Sequence, residues 1–263
     1  MQHVTVKGLV IRETDFGEAD RFITVLTAEL GKIEVLCRGI RRKRGSLANA
    51  VRLFCYSELT LYASGKRYTL NDASVEMSFW SITSDIEQYA LCCYLAELAA
   101  IASDEDTESG ELLPMFLRAL YALDQQKRPV QIVKPAFELR LASILGFAPD
   151  LLQCGVCGAT EFPDGVSFLI EDGRLVCSAC RKRIGGTYFS VTEGMLAAMR
   201  HILFCDGKKL YAFQLNASTA EALGTLCVRY LLYHLDERLT TLEFYHTLFP
   251  ETDKRTTGEN EHE

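Results

Sequence analysis

The chain has 263 residues, of which 48% are hydrophobic and 24% charged, ordinary values for a globular protein with a sizeable core. The formal net charge is -7, and no apolar run is long enough to span a bilayer, so we expect no membrane protein. The amino-terminus lacks the layout of an export signal. Ten cysteines without such a signal favour reduced thiols and a metal site, and therefore a cytoplasmic protein.

The charge is unevenly distributed along the chain. Residues 1–80 contain 12 Lys and Arg against 9 Asp and Glu, whereas the remainder contains 16 against 26. The segment LCRGIRRKRGS (Leu36–Ser46) places five cations within seven positions. This distribution predicts that a polyanion is attracted to the amino-terminal part and repelled by much of the rest.

Five β-strands are predicted within the first 80 residues. The segments are rich in Val, Ile, Thr, Tyr and Phe and are separated by turn sequences: HVTVKGLVIRE, RFITVLTAE, GKIEVLCRG, LFCYSELTLYAS and KRYTLNDASVEM. Several short strands in a small unit favour a closed barrel, because closure removes the exposed edges, and an OB-fold is such a barrel. The basic segment falls in the connection after the third strand.

From Ile82 onwards the apolar period becomes helical. Capping boxes are predicted at Ser84–Glu87 and Ser218–Glu221. The first helix is predicted to end near Ala102. Four further helices are predicted at 112–126, 131–146, 192–204 and 218–239. The tail from Glu251 to Glu263 is polar and is predicted to be disordered.

Two C-x2-C pairs, separated by nineteen residues, interrupt the helical part: Cys154 with Cys157, and Cys177 with Cys180. Four thiolates complete a tetrahedral zinc site and leave no position for water, so the predicted role is structural, with one Zn²⁺ per chain. No His-x-Glu segment of a zinc deaminase is present. The bridge VSFLIEDGRLV predicts a hairpin. Such a module should have almost no core of its own, so the metal would supply its folding energy, on the order of 10 kcal/mol.

These observations predict an α+β multidomain protein. We expect an OB-fold nucleic-acid-binding barrel at 1–80, an α-helical domain at 81–150 and 186–250, an embedded four-cysteine zinc module at 151–185, and the tail at 251–263.

The barrel and its basic segment predict nucleic-acid binding, because OB-folds combine a cationic groove with stacking aromatic rings. A solvated basic loop without a specific role is the alternative. Nearby aromatic residues are expected to be mainly core, with one or two stacking platforms at most: Phe54, Tyr56, Tyr62 and Tyr68. The run Arg181–Arg183 is either a further phosphate-contacting surface or a solvated patch. The candidate DNA contacts are Lys32, Arg38, Arg41, Arg42, Lys43, Arg44, Arg52, Lys66 and Arg67.

No enzyme is predicted, since the chain contains no Gly-rich phosphate loop, nucleophile elbow or catalytic dyad, and no small-molecule substrate is expected. Two rival hypotheses remain. One is a zinc-bearing scaffold whose basic loop binds protein or RNA. The other is a metal-dependent nuclease that uses the acidic cluster Asp104–Asp106.

The sequence resembles the bacterial recombination mediator family RecO over almost its whole length. The resemblance rests on the opening GLVIRETDFGEADRFITVLTAELGK, on GKIEVLCRGIRRKRGS, and on FELRLASILGFAPDLLQCGVC followed by CSAC. The helix that runs into the first cysteine pair is the most specific of these features.

The resemblance implies an amino-terminal OB-fold, a helical domain and an embedded zinc module, which this chain's four cysteines keep intact. It implies a DNA repair and recombination protein, nucleoid-associated, that binds single- and double-stranded DNA and anneals complementary strands. The implied partners are RecR, in some settings RecF, and the acidic carboxy-terminal tail of the single-stranded DNA-binding protein; with RecR such a protein helps load RecA. Candidate cations for the tail are Lys134, Arg140, Arg200 and Arg229.

Overall fold

The computed structural model describes residues 2–105 and 107–250; the predicted disordered tail lies outside them. Five strands form a closed barrel in the order β1-β2-β3-β5-β4. Their bounds are β1 (Gln2–Phe16), β2 (Asp20–Thr27), β3 (Lys32–Cys37), β4 (Cys55–Ser64) and β5 (Arg67–Ser78). β3 and β5 are parallel and the other neighbours antiparallel. The predicted fold class is therefore confirmed for this part of the chain.

The barrel interior follows from strand alternation, which sends every second side chain inwards. In β4 the buried positions are Cys55, Ser57, Leu59 and Leu61, with partly exposed residues between them. A bulge in β1 between Val10 and Arg12 shifts the register with β2, and a bulge of this kind lets one long strand bend within a closed barrel. The connection after β3 contains the short helix α1 (Ser46–Ala50), and the residue that follows it, Val51, completes the barrel core.

In the part of the chain that the structure describes, six longer helices follow the barrel and share one apolar core. α4 lies at the centre of this group and packs against α2, α3, α6 and α7. The largest fully buried rings of the helices are those of Tyr94, Phe116 and Phe137. The six helices are α2 (Ile86–Ile101), α3 (Leu112–Asp124), α4 (Val130–Ile144), α6 (Glu193–Phe204), α7 (Ala217–Leu235) and α8 (Thr240–Leu248).

Both predicted capping boxes are wrong by one or two residues. The N-cap of α2 is Asp85, whose carboxylate accepts from the N–H groups of Glu87 and Gln88. The N-cap of α7 is Asn216, which accepts from the N–H of Thr219. Asp and Asn accept these bonds at least as well as Ser, so the neighbouring residue competes successfully for the same role.

A second sheet of four strands carries the cysteine pairs, in the order β6-β8-β7-β9. The predicted hairpin is formed by β7 (Val166–Leu169) and β8 (Arg174–Cys177), flanked by β6 (Asp150–Cys154) and β9 (Tyr188–Val191). The four-residue helix α5 (Ser178–Arg181) follows β8. Contrary to the expectation of a module without a core, Phe168 and Leu175 are fully buried in the main apolar core, and Phe168 packs edge-on against Tyr230 of α7 at 5.2 Å.

The barrel and the helices are joined by polar as well as apolar contacts. Gly31 (φ 62°) closes the β2–β3 turn, and a Cβ at this position would lie 2.2 Å from the carbonyl oxygen of Asp104, so only glycine fits. The N–H of Lys32 donates to the same carbonyl at 3.2 Å. Within the described residues, no helix combines the length and apolar character needed to cross a membrane.

Candidate nucleic-acid surface and metal centre

The basic loop, defined as Arg38–Arg44, leaves the barrel at the end of β3 and contains a 3₁₀ turn at Ile40–Arg42. Ile40 is only 5% exposed and belongs to the barrel core. The loop is held by the N–H of Gly39, which donates to the Asp20 carboxylate at 2.7 Å. Because Ile40 and Gly39 anchor the loop, its five cationic side chains are displayed on the surface of the barrel.

Two of the five cations have carboxylate partners in the β1–β2 hairpin, one at the end of β1 and one in its turn. Arg41 lies 3.3 Å from the Asp15 carboxylate, and Arg42 lies 3.3 Å from that of Glu18. Exposed pairs of this kind contribute about 1 kcal/mol or less, so a phosphate could replace either carboxylate. Arg38, Lys43 and Arg44 are exposed and make no ion pair or side-chain hydrogen bond within residues 2–105 and 107–250. These three are therefore the cations most available to an anionic ligand.

Arg52 and Trp80 form a second exposed element on the same barrel. The Arg52 guanidinium carbon lies 5.2 Å from the ring centroid of Trp80, and this ring is 42% exposed. The indole N–H donates to the Cys55 sulfur at 3.4 Å, and burial is the main cause that raises the pKa of that thiol. An exposed aromatic ring beside a cation is how proteins stack unpaired bases. The sequence reasoning missed Trp80; its position directly after the fifth strand was the available signal.

The remaining predicted DNA contacts lie apart from the loop. The Lys32 amine is half-buried and donates to the Ala100 carbonyl at 2.6 Å, near the end of α2, where a cation complements the helix dipole. Lys66 lies 3.9 Å from the Glu105 carboxylate. Arg67 is exposed at the start of β5, which lies beside β3 and places it roughly 10 Å from the end of that strand. The structure thus gathers Arg38–Arg44 and separates Lys32, Lys66 and Arg67 from them.

The four candidate aromatic residues differ in exposure. Phe54 is fully buried, and Tyr56 and Tyr68 are half-buried. Tyr62 is 36% exposed, and its ring centroid lies 4.4 Å from that of His3. Among these four, Tyr62 is the one ring that a base could reach.

The four predicted metal ligands converge on one point, with their sulfur atoms all within 4.8 Å of one another. The Cys157 and Cys177 sulfurs are 3.8 Å apart. A tetrahedral zinc ion with Zn–S bonds of about 2.3 Å requires an S···S separation of about 3.8 Å, so the residues present fit this metal. Cys154 and Cys180 are buried, whereas Cys157 is exposed in the turn after β6. The four cysteines can therefore hold a metal ion at the edge of the second sheet.

The electrostatics of the cluster also favour a cation. Burial opposes ionisation of Cys154, but the N–H groups of Cys157, Cys177 and Val156 outweigh it and lower the pKa of this thiol to about 6. The Cys177 side chain, burial and the other cluster thiols raise the pKa of Cys180 to about 12. Four adjacent thiolates repel one another, and a divalent cation among the sulfurs removes this repulsion.

The acidic cluster of the nuclease hypothesis, Asp104–Asp106, includes residues with structural contacts. The Asp104 carbonyl binds the β2–β3 turn, and Glu105 forms a bridge with Gly31 and lies near Lys66. Asp106 lies outside the described residues. Within residues 2–105 and 107–250, the four cysteines are the one group of three or more His, Cys, Asp or Glu able to share a metal ion.

A closed five-stranded barrel that displays cations, followed by helices and a four-cysteine cluster, defines an OB-fold protein with an embedded metal-binding module. Family models described as Recombination protein O N terminal and Recombination protein O C terminal match residues 1–79 and 83–243. The chain therefore belongs to the RecO family of DNA repair proteins.

Curated relatives of similar length agree with this assignment. The DNA repair protein RecO of Acetivibrio thermocellus is 34% identical over 249 residues, which cover 94% of this chain and 98% of the relative. That of Symbiobacterium thermophilum is 30% identical over 246 residues, covering 92% and 96%. That of Alkaliphilus metalliredigens is 26% identical over 235 residues, covering 89% and 94%.

Proposed function

We propose that this protein is a DNA repair and recombination mediator that binds single- and double-stranded DNA and anneals complementary strands. With RecR, it would help load RecA onto DNA coated by the single-stranded DNA-binding protein. The main support for the proposal is a group of three exposed cations on the OB-fold barrel of an acidic chain: Arg38, Lys43 and Arg44. None of the three has a carboxylate partner among the residues that the structure describes. Membership of the RecO family supports it.

The proposed mechanism uses charge and position and makes or breaks no covalent bond. Two DNA strands repel each other, and a cationic surface that neutralises phosphates lowers this repulsion while it leaves base edges free to pair. The basic loop and Arg52 would bind the backbone, and Trp80 would stack an unpaired base. Because phosphates carry no sequence information, binding would show little sequence preference.

The cysteine cluster would hold one structural Zn²⁺ per chain. Cys154, Cys157, Cys177 and Cys180 would be its four ligands, which leaves no coordination position for a substrate. When bound, the ion would tie the ends of β6 and β8 to α5, so its contribution would be to stability and shape.

Protein partners would bind the acidic helical part: RecR, in some settings RecF, and the tail of the single-stranded DNA-binding protein. A groove of about 540 Å³ between α4, α7 and α8 includes Lys134 in its lining. Lys134 pairs with Glu138 at 3.0 Å. Arg140 and Arg200 donate to backbone carbonyl groups, and Arg229 is exposed on α7. Of these four cations, we favour Lys134 for the tail, because it lines this mainly apolar groove.

Replacing Arg38, Lys43 and Arg44 together by alanine is expected to weaken binding of a labelled single-stranded oligonucleotide. Each lost phosphate contact should flatten the log-log dependence of affinity on salt by about 0.7, and three contacts by about 2. Fluorescence anisotropy across a salt series measures both the affinity and the slope.

The matched control replaces three exposed cations outside the barrel by alanine: Lys182 and Arg183 beside the cysteine cluster, and Arg229 on α7. It removes the same charge, so a nonspecific effect of net charge would appear in both variants. If only the control loses affinity, DNA lies on the part of the chain outside the barrel and the loop assignment is wrong. If the wild-type protein binds RNA or protein but not DNA at low salt, the scaffold hypothesis replaces the mediator.

A further inference from the structure

A second cationic site lies on the helical part, in a pocket of about 460 Å³ between α3 and the 3₁₀ turn Gly207–Lys209. The pocket is outside the basic loop and outside the cysteine cluster. Its lining contains three cations and no carboxylate, although this part of the chain is acidic overall. The polar and aromatic residues of the lining are Arg118, Tyr121, Gln126, Arg128, Lys208 and Tyr211.

The fold brings the three cations together from three segments. Arg118 and Tyr121 are one turn apart on α3 and share a face. The chain then folds back over the end of α3, where the N–H of Arg128 donates to the Ala122 carbonyl at 2.9 Å. Lys208 is placed by the Asp206 carboxylate, which accepts from its N–H at 2.7 Å.

Arg118 is the central side chain of this pocket. Its guanidinium packs over Gly207, where an added Cβ would lie 2.9 Å from one of its nitrogens. The side chain is half-buried, and neither it nor Arg128 or Lys208 makes an ion pair or side-chain hydrogen bond with any residue that the structure describes. Three like charges that line one pocket repel one another, so this arrangement fits an anionic ligand that arrives from outside.

The nearby carboxylates do not neutralise the pocket. Asp206 is engaged with the backbone of its own turn. Asp124 is buried at the end of α3 and accepts from Ser81 and the Gln125 amide. The charge that faces the pocket is therefore positive.

The form of the pocket favours a nucleic-acid backbone over an acidic peptide. Tyr121 is 45% exposed at the rim, where its ring can stack a base. Guanidinium groups bind phosphate oxygens in a planar, bidentate manner, and two of the three cations are arginines. An apolar peptide tail needs an apolar groove, whereas this lining presents three cations and an amide.

The segment that leaves the barrel after β5 reaches the end of α3, beside this pocket. The Ser81 hydroxyl donates to Asp124, and Ser81 directly follows Trp80. Tyr121 is one helical turn, about 5 Å, before Asp124. A strand stacked on Trp80 therefore has a short path along the end of α3 to this pocket.

We propose that Arg118, Arg128 and Lys208 form a second phosphate-binding site, which holds a single strand that continues from the barrel onto the helices. This proposal rests on the proposed DNA-binding function and extends it by a site on the acidic half. A strand bound at both places would be held extended, with its bases free to pair.

The test uses the full chain and two labelled oligonucleotides, of about ten and about forty nucleotides. Replacing Arg118, Arg128 and Lys208 by glutamine should flatten the salt slope for the long oligonucleotide by about 2, at about 0.7 per contact. The short one, which the barrel can hold alone, should bind as in the wild type. The single exposed change Lys208→Glu should act in the same direction, and it keeps the test valid if the triple variant folds poorly.

The outcomes separate this proposal from the barrel assignment. If the basic-loop variant flattens the slope and the pocket variants do not, the second site is wrong and the mediator function stands. If only the pocket variants act, the pocket stands and the loop assignment fails. If the pocket variants lose binding of a labelled peptide of alternating aspartate and phenylalanine but keep wild-type DNA binding, the site serves a peptide and the proposal is overturned. If the wild-type protein binds neither oligonucleotide, both fail.

Discussion

Replacing Cys177 by serine is expected to abolish metal binding and to lower the stability of the protein by several kcal/mol. Cys177 ends β8, and its sulfur lies 3.8 Å from that of Cys157, so the change removes one corner of the tetrahedron. Structural zinc sites contribute on the order of 10 kcal/mol in small domains that have little other core. Metal content by mass spectrometry should fall from one ion per chain to none.

The loss of stability should be smaller than in an isolated zinc module, because the helices support part of the second sheet. Phe168 and Leu175 should stay buried in the main apolar core without the metal, with Phe168 packed against Tyr230 of α7. We therefore expect the turns at Cys154–Cys157 and Cys177–Cys180 to open while β7 keeps its place, which hydrogen exchange would show as loss of protection limited to those turns.

Cys205→Ser is the matched control for this change. Cys205 is half-buried and outside the cluster, and its sulfur lies 3.7 Å from an Arg140 nitrogen that a hydroxyl can also bind. This variant should keep its metal and most of its stability. Retention of a full equivalent of zinc by Cys177→Ser would show that the four cysteines are not the ligand set.

The second large effect is expected at a buried ion pair in the helical core. Glu138 is fully buried on α4, and Lys134, one turn earlier, has 6% of its side chain exposed. The Glu138 carboxylate also accepts from the Tyr94 hydroxyl at 2.9 Å. Removing one member of a buried pair leaves the other charge in an apolar surrounding and costs about 3–5 kcal/mol. Glu138→Ala should lower the free energy of unfolding in urea by this amount.

An exposed ion pair provides the control. Arg238 and Glu243 are 2.8 Å apart, with 80% and 55% of their side chains exposed. Glu243→Ala should lower the free energy of unfolding only slightly, because solvent screens an exposed pair. Replacing both buried residues, with Lys134→Met and Glu138→Leu, should destabilise less than Glu138→Ala alone. If Glu138→Ala and Glu243→Ala lower the free energy of unfolding equally, the charge of Lys134 must find another anion or water in the Glu138→Ala variant.

The position of the buried pair ties stability to the proposed partner groove. Lys134 is part of the lining of that groove, and Glu138 lies one helical turn further along α4, fully buried in the core. The double variant should therefore retain the fold while it removes the cation that we propose for a partner's tail, and a binding assay with that tail can separate the two roles.

Local pattern was enough to predict the barrel, the longer helices and the cysteine cluster. Alternation in β4 and the turn sequences between strands act over a few residues, and closure of the barrel could be inferred because it removes the exposed strand edges. The spacing of Cys154 with Cys157 and of Cys177 with Cys180 likewise encodes a tetrahedral site directly, since each pair lies within one turn.

Contacts between distant segments decided the rest. Helix α8 was not predicted because its first N–H groups, at Thr240 and Thr241, are capped by Glu97 of α2, more than a hundred residues away in the chain. The short strand β9 exists because it pairs with β7. No local pattern reveals such partners, because each segment has too little propensity to be ordered alone.

The two candidate DNA-binding sites also depend partly on local sequence and partly on tertiary contacts. The sequence alone determined that the Arg38–Arg44 run is cationic and follows the third strand, because charge and order along the chain are local properties. Only the tertiary structure decided which of these cations remain without a carboxylate partner, since the carboxylates of Asp15 and Glu18 reach Arg41 and Arg42 from the β1–β2 hairpin. It alone also brought Arg118, Arg128 and Lys208 to one pocket, because they lie on segments up to ninety residues apart that meet only when α3 and the 3₁₀ turn pack together.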